Sequence, residues 1–448
     1  MPNPNNEKII DNAASNDADE IYIDEKNVHE RLAHQFAEYL IEQGYFYLAR
    51  SHGADLYSTL TGKFHAFHAE TNLYQQWLWK QSVGRNSGSN PLLQSVLRQR
   101  IKYASAREFI PGGDRPLVYE ADGVPVLNTW RPYEPQTAAA AGVNLALWVE
   151  YLERLFPDAD ERHTVVQWLA HMLQRPEEKP SWHLMLTSAT GTGKGFLFQQ
   201  ILSPLLNHQA ALLNDYSKLT NQFSTVIANH LLVFLDDCRS SSKSLHTRLK
   251  SLLTEHRQQI EEKQEQARMV STYTRFILAS NERRPIRFSS NERERRWFAV
   301  KFMDHRHNPE ETTEFISRLA QWLMQDGSLD AVYRWLMAYD LTGFNPHHCR
   351  ATETLEEMQE QSRSMLDIGL SDWLESNRVF KMETVRQWLD APADQIKHRL
   401  EELGFRQSRI NTNGAGVDRS RYWLPANWKP KQAAQWLENA ADGKIEQF

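Results

Sequence analysis

Eight consecutive residues, Ser188-Ala189-Thr190-Gly191-Thr192-Gly193-Lys194-Gly195, join an apolar run, His183-Leu184-Met185-Leu186-Thr187, to a helix-like segment starting at Phe196. A strand, a glycine-bearing loop and a helix in that order suit a nucleoside triphosphate. Glycines let backbone N–H groups turn onto phosphate oxygens, the helix N-terminus adds its dipole, and a lysine reaches the β- and γ-phosphates. Thr190, Gly191, Thr192, Gly193, Lys194 and Gly195 are therefore the expected phosphate-binding residues. Ser188 replaces the first glycine of the usual pattern. Gly195 stands where a Ser or Thr hydroxyl would normally meet Mg²⁺, so the metal has to lean on other groups or on water. The competing reading is a glycine-rich turn that merely ends a strand.

Farther along, His230-Leu231-Leu232-Val233-Phe234-Leu235 runs straight into Asp236-Asp237. A buried strand ending in adjacent acids places hard oxygen ligands beside phosphates. Asp236 is the expected metal ligand and Asp237 the base that activates water. A third apolar run, Arg275-Phe276-Ile277-Leu278-Ala279-Ser280, ends in Asn281, whose amide both donates and accepts and can hold an attacking water or sense the γ-phosphate. The cluster Arg293-Glu294-Arg295-Arg296 enters a fourth apolar run at Trp297. It reads either as a solvated charge run or as a source of an arginine finger, with Arg296 first and Arg295 second.

These residues need a scaffold that brings distant strand ends together. Between residues 179 and 305, apolar strand candidates (HLMLTS, HLLVFLDD, TRFILASN, RWFAVKF) alternate with polar helical segments, the pattern of an α/β parallel sheet. The sequence sets an acidic tail at 1–27, an α+β domain at 28–137, a helical subdomain at 138–178 and the α/β core at 179–305. A helical linker at 306–365, a compact unit at 366–427 and a tail at 428–448 follow. The net charge is −6, but the first thirty residues hold eight acidic side chains against two lysines, so the remainder is balanced. Anionic partners must then be met by local patches rather than by a general positive field. Two cysteines, Cys238 and Cys349, exclude a disulfide framework and suit a reducing compartment. No apolar run approaches the length of a membrane span, and the polar start lacks the apolar stretch of a signal peptide. His65-Ala66-Phe67-His68 and His347-His348-Cys349 read as surface segments rather than metal sites.

The last unit reads as a winged helix. LSDWLES, METVRQWLD and ADQIKHRLEELG form three helices, and a hairpin turns at Asn411–Gly416. Residues 376–430 carry ten basic against six acidic side chains. Lys397 and Arg399 lie on the third helix, and Arg409 and Arg421 on the wing, as candidate contacts to duplex DNA. Packing on the ATPase or contact with a protein is the alternative.

The set of phosphate loop, Asp-Asp strand, Ser-Asn strand and arginine pair resembles the superfamily III helicases, a branch of the AAA+ ATPases. Within them it looks most like the phage and plasmid primase-helicase group, in which the GKG form of the loop also occurs. The upstream Val126-Leu127-Asn128-Thr129-Trp130 and the stretch 249–272 add to the likeness. The resemblance implies an AAA+ P-loop core with a parallel sheet that binds ATP and Mg²⁺. It implies a homo-hexameric ring completed in trans by an arginine, and 3′-to-5′ travel on single-stranded DNA. It also implies a β-hairpin carrying Lys263, with Arg268 second, into a central channel; from its residues alone this stretch is a surface loop or a continuous helix. The expected function is that of a replicative DNA helicase of a phage, plasmid or related mobile element. It would act in the cytoplasm of a bacterial or phage-infected host cell, with any primase on a separate chain. An origin-binding initiator or loader that melts DNA without processive unwinding is the alternative.

Overall fold

The computed structural model describes residues 28–50, 53–62, 64–65, 69–80, 91–113, 117–136, 142–220, 225–238, 244–261, 267–286, 288, 294–389, 391–410 and 421–441. The chain divides into two compact units. One comprises 1–132, 207–209 and 259–270, and the other the rest.

The first unit is built on helix 28–42, whose Ala33, Phe36, Ala37 and Leu40 recur at helical spacing and are all buried. They pack with Tyr74, Trp77 and Leu78 of helix Ala69–Lys80 and with Leu93, Val96 and Leu97 of helix Pro91–Arg100. Strands Tyr45–Arg50 and Gly53–Ser58 pair antiparallel within a four-stranded sheet that places Tyr47 and Leu56 in the same core. A separate three-stranded sheet contains Val124–Asn128. Buried Asn128 uses its whole amide there, accepting from the N–H groups of Ile110 and Trp130 and donating to the Ile110 carbonyl.

The second unit centres on five parallel strands, named here in chain order: β1 (His183–Thr187), β2 (Ala210–Leu213), β3 (Leu232–Asp236), β4 (Arg275–Ser280) and β5 (Trp297–Ala299). Their order across the sheet is β5-β1-β4-β3-β2. All residues of β1 and β4 are buried, as strands covered on both faces must be. The sequence reading found four of these strands. It missed β2, a four-residue Ala-Ala-Leu-Leu edge strand too short and small to stand out from a helix end. Parallel strands end on one edge, so the segments after β1, β3 and β4 emerge side by side, where α/β sheets bind ligands.

Helices Ala146–Leu155 and Pro309–Leu323 pack together near that edge, pinned by a two-pronged Arg154–Glu311 ion pair at 2.7 and 2.8 Å. Asn308 caps the second helix by accepting from the Glu311 N–H.

At the C-terminal end, helix Glu353–Ser376 runs unbroken through Gly369, so the expected start of a new unit at residue 366 falls inside one long helix. The glycine is a close contact point, since a Cβ there would lie 2.8 Å from Leu389 Cδ2. Helices Met382–Leu389 and Ala393–Glu402 follow, then the antiparallel pair Phe405–Arg409 and Arg421–Pro425. Leu370, Trp373, Phe380, Val385, Ile396 and Trp423 form their common core. No described helix is long and apolar enough to cross a membrane.

Candidate functional site

The loop after β1 is held in place from several sides. The Ser188 N–H bonds the carbonyl of Ser280 on β4, and the Ala189 N–H bonds that of Met303. Thr192 Oγ1 donates to Ser188 Oγ at 2.9 Å, so the serine in place of the first glycine braces the loop from within. Gly191 and Gly193 adopt φ of 84° and 106°, a region that side chains other than glycine rarely enter. A Cβ on Gly193 would also stand 3.1 Å from Ile316 Cδ1 and 3.2 Å from Tyr151 Cε2. The Tyr151 hydroxyl, buried behind the loop, donates to the Gly193 carbonyl at 2.8 Å. Gly195, by contrast, faces open space. Lys194 opens a continuous helical stretch, residues 194–205, whose middle segment Leu197–Leu202 is π-helical.

Lys194, Asp236, Asp237 and Asn281 line one open cavity of ≈ 390 Å³ together with Thr190, Gly191, Thr192, Gly193 and Gly195. The convergence is direct. Lys194 Nζ donates to Asn281 Oδ1 at 2.7 Å. Asn281 in turn donates its Nδ2–H to Asp237 Oδ2 at 2.8 Å and its backbone N–H to Asp237 Oδ1 at 2.9 Å. Asp237 reaches this position through a left-handed backbone, φ 45°, with its own N–H on the Ala279 carbonyl of β4. Burial lowers the pKa of Lys194, while the charges of Asp237 and Asp236 act in the opposite sense. Burial and the adjacent Asp237 raise the pKa of Asp236, against the pull of Lys194. Two adjacent carboxylates with one lysine leave surplus negative charge, a donor set that fits a divalent cation. Asp236 would hold it, and Gly195 offers no hydroxyl.

Sequence reasoning missed several lining residues. Thr313, Ile316 and Ser317 of helix Pro309–Leu323 close one side of the cavity. His305 bridges the loop to that helix through Nε2 to the Thr190 carbonyl at 3.1 Å and Nδ1 to Thr312 Oγ1 at 2.9 Å. No local motif marks these positions. They matter because a distant helix folds back over the loop.

Arg295 and Arg296 lie away from this cavity. The Arg296 carbonyl accepts from the His183 N–H at the start of β1, the edge of the sheet opposite the phosphate loop. The Arg296 guanidinium is half-buried and paired with Glu294 at 3.2 Å, whereas Arg295 is exposed. Among the DNA candidates, Lys263 lies outside the described residues, as does the wing tip 411–420. Strands Arg257–Ile260 and Arg268–Ser271 do pair in a two-stranded sheet rather than form a continuous helix. Buried Lys179 donates to the carbonyls of Leu252 and Glu255 and to Thr272 Oγ1. Burial lowers its pKa to about 7. Lys397 approaches Glu401 at 3.8 Å, and Arg399 is tied to Asp367 at 2.8 Å and Glu402 at 2.6 Å. Arg409 and Arg421 are exposed and directly opposite each other in the antiparallel register.

Residues 186–296, from the end of β1 to Arg296, match the model of a family of unknown function, DUF5906. The chain is related in sequence to a phage replication protein. Over 232 residues it is 26% identical to the DNA Primase-polymerase of Nitratiruptor phage NrS-1, covering 48% of this chain and 32% of that relative. The match thus spans about a third of the relative's length. Two apo structures of the NrS-1 C-terminal region superpose with TM-scores of 0.51 and 0.52 at 16% identity, each over 82% of this chain and 84% of theirs. The mixed α/β fold is shared with that region.

Proposed function

We propose that the chain is an ATP-dependent DNA helicase of a phage or related mobile element, with an AAA+ core of the superfamily III type. The observation that carries this reading is the convergence of Lys194, Asp236, Asp237 and Asn281 on one cavity at the carboxyl edge of a parallel sheet. Relatedness to a phage primase-polymerase supports replication as the setting.

In this reading the loop amides and Lys194 bind the β- and γ-phosphates of ATP, and Asp236 holds Mg²⁺. The metal would offset charge on the phosphate oxygens. Asp237 accepts the proton of a water that attacks the γ-phosphorus as the bond to the β–γ bridging oxygen breaks. Asn281 orients that water once Lys194 has left its Oδ1 for phosphate. An arginine of a neighbouring protomer completes the site, because Arg295 and Arg296 directly precede β5 at the far edge from their own loop. Exposed Arg295 can reach outward without breaking an ion pair, and Arg296 would first have to leave Glu294. A homo-hexameric ring supplies such a neighbour. The paired strands around Lys263 would grip single-stranded DNA, with Arg268 beside them. The C-terminal winged helix would meet duplex phosphates through Arg409, Arg421 and Lys397. Arg399, committed to two carboxylates, would act as a brace.

Like charges directly opposite on a wing destabilise it unless an anion lies between them. The Arg409–Arg421 register therefore also supports an origin-binding initiator. Unwinding of a forked duplex separates the two. Lys263→Ala should abolish unwinding while ATP turnover persists if the chain is a motor. A wild-type chain that hydrolyses ATP and binds duplex DNA without unwinding it would favour the initiator.

A further inference from the structure

A second and larger cavity, ≈ 770 Å³, opens beside the segment that follows Asn281. Glu282, Arg283 and Arg284 form one wall, and Trp388 and Gln395 of helices Met382–Leu389 and Ala393–Glu402 stand on the other. Its apolar lining includes Ile286, Phe288 and Leu389. The volume lies in the range of ligand sites rather than of packing defects.

Three features of this groove point to a ligand. Trp388 is 58% exposed, although its helix completely buries Val385. Gln395, on the helix Ala393–Glu402, lines the cavity with its amide side chain. An amide that lines a cavity can both donate and accept a hydrogen bond there. The third feature is a pair of guanidinium groups that pair with no described carboxylate. Arg283 lies 3.8 Å over the Phe302 ring, and Arg284 Nη1 is 3.4 Å from Met365 Sδ.

We propose that this groove binds an unpaired nucleotide of single-stranded DNA. The base stacks on Trp388, its edge exchanges hydrogen bonds with the Gln395 amide, and Arg283 and Arg284 meet the flanking phosphates. A flat aromatic face, a two-way amide and two guanidiniums that meet no carboxylate among the described residues match the three parts of a nucleotide. The groove rests on the reading that the chain acts on DNA, but not on its ATP chemistry. Its wall begins one residue after Asn281, so a strand held there sits beside the segment that senses the phosphate cavity.

The test is fluorescence anisotropy of the full chain without nucleotide. Three labelled probes are compared: oligothymidylate, an abasic deoxyribose-phosphate strand of equal length, and an acidic peptide. Stacking predicts that Trp388→Ala weakens oligothymidylate binding roughly ten-fold, that Trp388→Phe keeps most of it, and that neither alters abasic-strand binding. Equal affinity of wild type and Trp388→Ala for oligothymidylate would overturn the proposal. So would an equal loss on the abasic strand, or a Trp388-dependent preference for the peptide. Because no ATP is present, the outcome is independent of whether Lys194 supports turnover, and either reading can fail alone.

Discussion

Lys194 Nζ and Asn281 Oδ1 lie 2.7 Å apart, joining the residue after the β1 loop to the residue after β4. The asparagine is at the same time clamped on both oxygens of Asp237. The lysine, the asparagine and the second aspartate thus satisfy one another. On the proposed reading, a phosphate that drew the ammonium away would free Asn281 Oδ1. Asn281→Ala should therefore lower the ATP turnover number by roughly a hundredfold, the usual cost of losing one positioned polar group, with a smaller change in KM. Steady-state kinetics on purified protein reads both parameters. A change in KM alone would assign Asn281 to binding only.

The glycines of the loop separate into two kinds. Gly193 combines φ of 106° with contacts that a Cβ would violate, so Gly193→Ala should cost on the order of 1–3 kcal/mol and remove nucleotide binding. A Cβ on Gly195 would meet nothing within 4 Å, and Gly195→Ser should change stability by less than about 0.5 kcal/mol. If Asp236 holds Mg²⁺ beside it, the new hydroxyl should also lower the Mg²⁺ concentration needed for half-maximal turnover. Thermal melts and a Mg²⁺ titration of turnover check both expectations.

The arginines just before β5 make a subunit-mixing prediction. Arg295→Ala should keep wild-type stability and lose turnover. Arg296→Ala should also destabilise the fold by on the order of 1–3 kcal/mol, because it removes the cation from buried Glu294 and leaves it only the backbone N–H groups of Arg295 and Arg296. Mixing Arg295→Ala chains with Lys194→Ala chains should recover activity, since some sites then pair an intact pocket with an intact finger. No recovery from any mixture would place the finger elsewhere.

Acid should weaken the core at His183. Its Nε2–H donates to the Leu253 carbonyl at 3.0 Å, and its Nδ1 accepts from the Phe276 N–H at 3.3 Å, so the ring must stay neutral. Burial lowers its pKa to about 3, helped by the charges of Lys179 and Arg275. The unfolded histidine takes up a proton near pH 6.5 and the folded one near 3. Its contribution to stability is therefore fully present above about pH 6.5 and is lost as the pH falls toward about 3. Urea midpoints at about pH 7 and about pH 5 should differ by less in His183→Gln than in wild type.

The sequence carried the site's ingredients better than its walls. Lys194, Asp236, Asp237 and Asn281 were legible because each follows an apolar strand, and parallel strands end together. Tyr151, His305 and Ile316 were not, since their roles arise from two helices folding onto the loop, which no local pattern encodes. β2 was missed because an edge strand of four small residues has no period to detect. Composition also could not show that Arg399 pairs with Asp367 and Glu402 while Arg409 and Arg421 stay exposed.

The central claim is that one triphosphate site is assembled from these distant segments. Mg²⁺-dependent ATP hydrolysis, measured for wild type, Lys194→Ala and Asp236→Ala with single-stranded DNA present, tests it most directly. The account predicts turnover in wild type and a fall of roughly a hundredfold or more in each variant with the fold intact. Turnover that survives both substitutions, or a folded wild-type chain that never hydrolyses ATP, would contradict it.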